Sequence, residues 1–133
     1  MKKALKAAVK KLHDHGIPVS LFIDPELADV RAAELLGADQ VELHTGDYCN
    51  ALPGPPRDRE LARLLAAAEA ADACGLILAA GHGLDYTNVQ GMLHLPGLKE
   101  LNIGHAIISR AVLTGLDEAV REMLGLLWDF EEE

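Results

Sequence analysis

Leu76-Ile77-Leu78-Ala79-Ala80 runs without a polar side chain and then breaks into Gly81-His82-Gly83. An apolar run of this length, closed by glycine at both ends (Gly75 precedes it), reads as a strand covered on both faces. Three other segments share this grammar. Val19-Ser20-Leu21-Phe22-Ile23 gives way to Asp24-Pro25, Gln40-Val41-Glu42-Leu43-His44 to Thr45-Gly46, and Leu101-Asn102-Ile103 to Gly104-His105. Outward from these strands the periodicity changes from two to 3.6. Lys2 to His15 places Leu5, Ala8, Val9 and Leu12 on one helical face, with Gly16 as the C′ residue. Asp24 and Pro25 are the expected N-cap and first residue of a helix that runs to Leu36 and stops at Gly37. The loop from Asn50 to Pro56 contains Pro53-Gly54-Pro55-Pro56, and a helix from Asp58 carries Leu61, Leu64, Leu65, Ala68 and Ala71 on one stripe.

Beyond the third strand, a short helix from about Thr87 to Leu95 is stopped by Pro96-Gly97. The segment from Gly104 to Leu113 reads as a short extra helix. From Leu116 a final amphipathic helix sets Val120, Met123, Leu124 and Leu127 on its apolar side, ahead of a solvated, frayed tail at Glu131-Glu132-Glu133. Strands that alternate with helices pair in parallel through right-handed crossovers. The expected class is therefore α/β. Four such strands fit a small open sheet, or half of a (β/α)8 barrel that typically needs about 250 residues. Residues 1–133 form a single domain in this reading, since neither a linker nor a strong internal repeat interrupts them.

Half of the residues are apolar and a quarter charged, enough to build a core and too apolar for a disordered chain. A formal net charge of −9 argues against a nonspecific grip on nucleic acid or an anionic membrane, both of which need a basic surface. It leaves room for an anionic small molecule, because a pocket of backbone N–H groups binds phosphate even on an acidic protein. Cys49 and Cys74 are too few and too isolated for a disulfide framework, and a reducing, cytoplasmic setting is the expectation. The N-terminus lacks the apolar stretch of a targeting peptide, and no segment has the length and apolarity of a membrane span.

In parallel α/β folds, ligands gather at the C-terminal ends of the strands. The polar and glycine residues of this chain cluster at those ends. Glu42 and His44, two apart on a strand, project to one face. That pair reads as functional, against the plainer alternative of a rim carboxylate satisfied by backbone. Gly81-His82-Gly83 offers a candidate general acid or base between two residues that let backbone approach a ligand, or else a tight turn with a structural histidine. Gly104-His105 opens the extra helix, where barrels commonly hold phosphate after strands seven and eight. The competing reading is an ordinary strand-to-helix turn. His44, His82 and His105 end three successive strands and could converge on a metal, but their spacing is not a zinc signature, and no metal is expected. His13, His15 and His94 lie on helices as surface residues. Neither cysteine has an evident base partner, so neither is expected to act as a nucleophile.

Four ordered stretches carry a family resemblance: Val19 to Asp24, Val41 to Gly46, Ala80-Gly-His-Gly-Leu-Asp-Tyr-Thr-Asn-Val89 and Glu100 to Ile108. Together they resemble the pyridoxine 5′-phosphate synthase family of vitamin B6 biosynthesis. The resemblance implies a TIM barrel that condenses 3-amino-2-oxopropyl phosphate with 1-deoxy-D-xylulose 5-phosphate. The products are pyridoxine 5′-phosphate, phosphate and water, formed without metal or organic cofactor. His82 then resembles the proton donor and Glu42 the residue that stabilises the transition state. Gly83, Gly104 and His105 resemble the residues that hold phosphate. Family members have four preceding strands, so the chain is expected to supply the C-terminal half, strands five to eight with a preceding helix. The general bases of the other half have no match here, and the chain alone is expected to be inactive. Its expected partner is an N-terminal half-barrel or another copy, since a half-barrel leaves two strand edges open and one inward apolar face uncovered. The alternative function is a non-catalytic, phosphate-binding half-barrel module that self-assembles.

Overall fold

The computed structural model describes residues 2–128; the acidic tail at 131–133 lies outside the described residues. Four strands, β1 (Ser20–Ile23), β2 (Gln40–His44), β3 (Ile77–Gly81) and β4 (Leu98–Asn102), form one sheet in the order β1-β2-β3-β4. Every pair is parallel, with Val41 opposite Leu21 and Leu78. Helix α1 (Lys2–His13) precedes the sheet. Helices α2 (Leu27–Leu36), α3 (Gly46–Asn50) and α4 (Pro55–Ala73) lie in the crossovers, and a 3-10 turn (Val89–His94) joins β3 to β4. Helices α5 (His105–Thr114) and α6 (Leu116–Trp128) follow. This is the α/β, (β/α)4 arrangement that the alternation of periods predicts.

One face of the sheet is packed. Val41 and Leu43 of β2 and Leu78 and Ala80 of β3 meet Val30 and Ala33 of α2 and Leu64, Ala67, Ala68 and Ala71 of α4. The alanines of α4 let its backbone lie close to the strands, while Leu64, 1% exposed, fills the space between. Truncating such a leucine to alanine costs about 2–5 kcal/mol through lost transfer energy and the cavity left behind.

Among the described residues no helix covers the other face, and it differs from the apolar face expected of a cut barrel. Phe22 and Ile77 are about half exposed there, but Glu42, His44, Glu100 and Asn102 share the surface. Sequence β1 also departs from a strand covered on both faces. It is an edge, its residues alternate between exposed and partly buried, and Phe22 is uncovered.

Several boundaries move for physical reasons. Helix α2 starts at Leu27, and Asp24 makes no capping bond. The chain turns first, with the Glu26 N–H donating to the Asp24 carbonyl, and Glu26 becomes the N-cap residue. The Glu26 carboxylate is occupied elsewhere, by Arg63 Nη2 at 2.6 Å. Helix α4 starts at Pro55, three residues before the expected Asp58. Both prolines occupy first-turn positions, where an amide hydrogen would lack an intrahelical acceptor anyway. The expected β4 at 101–103 lies at 98–102, and Lys99 is accommodated at a register shift. On α1 only Val9 of the expected apolar face is buried. Leu5 and Leu12 are about 40% exposed, because α1 meets α2 and, among the described residues, no second layer covers its outer side.

Candidate active site

The C-terminal ends of β2, β3 and β4 and the segments after them surround a cleft of about 540 Å³. Its lining includes Glu42, His82, Gly83, Gly104 and His105, all five residues singled out by sequence, together with Phe22, Leu84, Asn102 and Ile103.

Glu42 reaches the cleft across β3. Ala79 pairs with Glu42 on one side and with Glu100 on the other, and Gly81 pairs with His44 and Asn102. A methyl group at Gly81 would collide with Glu42 Oε1 and come within 2.9 Å of the Asn102 carbonyl oxygen. The missing side chain is therefore the space through which the carboxylate passes. Asn102 Nδ2 donates to Glu42 Oε2 at 3.0 Å and to Glu100 Oε1 at 3.0 Å.

His82 is held in an uncommon backbone state. Its φ is +83°, the left-handed region that side chains disfavour, and Gly83 follows at +79°. The surroundings enforce this turn. The Thr45 N–H donates to the Gly81 carbonyl at 2.9 Å, and the Thr45 hydroxyl lies 2.7 Å and 2.6 Å from the Gly81 and His82 carbonyl oxygens. Cys49 Sγ donates to the His82 carbonyl at 3.6 Å. Burial pushes this thiol's pKa up, which suits the protonated donor of that weak bond. Asn88 Nδ2 donates to the Gly83 carbonyl at 3.2 Å. Asn88 and Asp85 brace each other: the Asp85 N–H donates to Asn88 Oδ1, while Asp85 Oδ1 accepts from the Thr87 and Asn88 N–H groups and the Thr87 hydroxyl. Partial burial opposes ionisation of Asp85, but these donors outweigh it and hold the carboxyl below its ordinary value. Tyr48 OH closes the brace on the Asn88 carbonyl at 2.9 Å.

The His82 ring stacks at a tilt on His44, with centroids 4.7 Å apart, and Phe22 meets the other imidazole edge-on at 5.2 Å. His44 Nδ1 faces Asp24 Oδ1 at 3.8 Å. The three strand-end histidines do not form a metal cage: among the described residues no group of three or more His, Cys, Asp or Glu side chains could hold an ion. Gly104 and His105 sit where α5 begins, and the first amide hydrogens of that helix have no acceptor within it. His13 lies at the surface, as expected, bonded through Nε2 to Asp39 Oδ2 at 2.8 Å.

Sequence reasoning missed Thr45, Tyr48, Asn88 and Asn102, which hold the named residues in place. Only Asp85 and Asn88 left a readable signal, two Asx residues three positions apart immediately before a helical turn.

Residues 1–129 match the family described as "Pyridoxal phosphate biosynthesis protein PdxJ". The chain belongs to this family. Pyridoxine 5′-phosphate synthase of Magnetococcus marinus is 54% identical over 123 residues, 92% of this chain and 51% of that relative. The like-named protein of Syntrophotalea carbinolica is 49% identical over 127 residues, 96% of this chain and 53% of its own length. That of Synechocystis is 50% identical over 119 residues, 90% of this chain and 49% of its own length. The chain thus spans about half the length of the curated relatives it matches. Half coverage at this identity agrees with a four-stranded half of the barrel within the PdxJ family. Among the described residues no helix is long and apolar enough to cross a membrane.

Proposed function

We propose that this chain is the C-terminal half of a pyridoxine 5′-phosphate synthase, residues 1–133 forming one half-barrel domain that carries strands five to eight. The reaction is the condensation of 3-amino-2-oxopropyl phosphate with 1-deoxy-D-xylulose 5-phosphate to pyridoxine 5′-phosphate, phosphate and water. The observation that carries this reading is the convergence of Glu42, His82, Gly83, Gly104 and His105 on one cleft at the strand ends.

The roles follow from chemistry. A hydroxyl group leaves as water only once it is protonated, and His82, braced at the cleft, is the donor. Positive charge that develops as the ring closes is stabilised by the Glu42 carboxylate. The backbone N–H groups at Gly83, Gly104 and His105, with the start of α5, hold a phosphate group despite the acidic balance of the chain. The reading requires neither metal nor organic cofactor, and it places the enzyme in the cytoplasm.

The half-barrel needs a partner. The edges of β1 and β4 are open, and the uncovered face bears the proposed catalytic groups. An N-terminal half-barrel supplying strands one to four completes the site; a second copy of this chain would cover the face without supplying the missing bases.

The test is reconstitution. This chain is mixed with a polypeptide carrying the first four strands of a relative, and pyridoxine 5′-phosphate is measured from both substrates. Product from the mixture, none from either part alone, and loss of product in His82→Ala are expected. A folded, mixed barrel that makes no product overturns the enzymatic reading. If such a barrel still binds a phosphate ester beside His82 and His105, the phosphate-binding module replaces it.

A further inference from the structure

The open face of the sheet holds a second carboxylate that the proposed chemistry does not use. Glu42 on β2 and Glu100 on β4 flank Ala79 in one row, and Asn102 lies two residues beyond Glu100 on the same face. Both carboxylates accept from the one Asn102 amide nitrogen, each at 3.0 Å. An amide nitrogen has two hydrogens, one for each oxygen, and two acceptor neighbours leave only one sensible orientation for the group. Gly81 completes the arrangement by leaving open the path along which the Glu42 side chain crosses β3.

We propose that Asn102 is the positioning residue of Glu42, with Glu100 as the anchor that fixes the Asn102 amide. This rests on the reading of Glu42 as the group that stabilises developing charge. A glutamate on an open sheet face has three rotatable bonds, and losing that freedom during turnover opposes catalysis. A charge-assisted bond from Asn102 removes it beforehand and leaves the other lone pairs of the carboxylate for the substrate. Glu100 in turn orients the amide, so the neutral side chain separates two like charges that would otherwise repel. The other ionisable groups facing this carboxylate are His44 on its own strand and His82 and His105 at the cleft.

Asn102 is exposed, so its substitution leaves the core intact. In the reconstituted barrel, Asn102→Ala and the isosteric Asn102→Asp are each expected to lower kcat roughly ten- to a hundredfold, with KM little changed. In a Glu42→Gln background, Asn102→Ala is expected to cost nothing further. An equal, multiplicative loss in both backgrounds, or a rise in KM with kcat intact, overturns the proposal. A second measurement needs no turnover. The mobility of the Glu42 side chain is measured by 13C relaxation in this chain alone, and it is expected to increase in Asn102→Ala as the donor is lost. Unchanged mobility also overturns the proposal. Absence of product from the wild-type barrel would instead remove the functional reading, leaving the relaxation measurement to decide the positioning role.

Discussion

The Thr45 hydroxyl, fully buried at the end of β2, lies 2.6 Å from the carbonyl oxygen of His82, the next strand's terminal histidine. One side chain thereby ties two neighbouring strand ends together and stabilises a turn that the His82 side chain disfavours. The site's geometry depends on a hydrogen bond between positions 37 residues apart.

Thr45→Val keeps the shape and removes the donor, so the Gly81 and His82 carbonyls lose it together. The expected cost is about 0.5–1.5 kcal/mol, the range for a lost hydrogen bond, because the Gly81 carbonyl keeps the Thr45 N–H and the His82 carbonyl keeps Cys49 Sγ. Urea denaturation at neutral pH measures it. Thr45→Ser should retain most of the stability, and a valine variant as stable as the parent would contradict the assignment.

His82→Gly should be more stable than His82→Ala by about 1 kcal/mol, because glycine occupies a φ of +83° without the clash that a Cβ brings. Both variants should lose turnover in the reconstituted barrel. Thermal melts of the two side by side separate backbone strain from lost contacts. Equal melting points would mean that the turn is unstrained.

Gly91→Ala should loosen the segment after the histidine turn. A methyl group there would collide with the Tyr48 hydroxyl, which bonds the Asn88 carbonyl. An overpacked site of this kind costs about 1–3 kcal/mol. In Tyr48→Phe the same glycine substitution should cost less, since the nearer colliding atom is gone and only Cζ, at 2.9 Å, remains, and a double-mutant cycle reads the difference.

Asp39 predicts a pH dependence. Its carboxylate accepts from the Val19 N–H at 2.7 Å and from His13 Nε2 at 2.8 Å, and these two bonds, the backbone one foremost, lower its pKa below 3.8. A depressed folded-state value means that the stabilisation is present above the unfolded value and disappears as pH falls through the folded one. The stability gap between the parent and Asp39→Asn should therefore be full at pH 5 and close on acidification below 3.8. A gap that persists unchanged at pH 2 would refute this. Because Asp39 is only half-buried, the effect should also shrink with salt.

The order of elements, their parallel pairing and the residues gathered at the strand ends were all legible in the chain. Apolar runs ending in glycine and histidine are local signals, and the crossover rule leaves one sensible pairing. The start of α2 was not legible, because the Asp24-Pro25 pair satisfies every rule for a cap while Glu26 takes the position. Competition with Arg63, 37 residues away, settles what the Glu26 side chain does. Likewise, Pro55 and Pro56 read equally well as loop or as first turn.

By itself the sequence determined where chemistry could sit: it placed Glu42, His82, Gly83, Gly104 and His105 at the ends of parallel strands, since period and glycine placement are properties of neighbouring residues. Only the tertiary structure decided how those residues are held. Thr45 reaching β3, Glu42 crossing over Gly81 and Asn102 joining two carboxylates all depend on register between strands. Register is set by packing and by hydrogen bonds between segments far apart in the chain, and no short stretch of residues contains it.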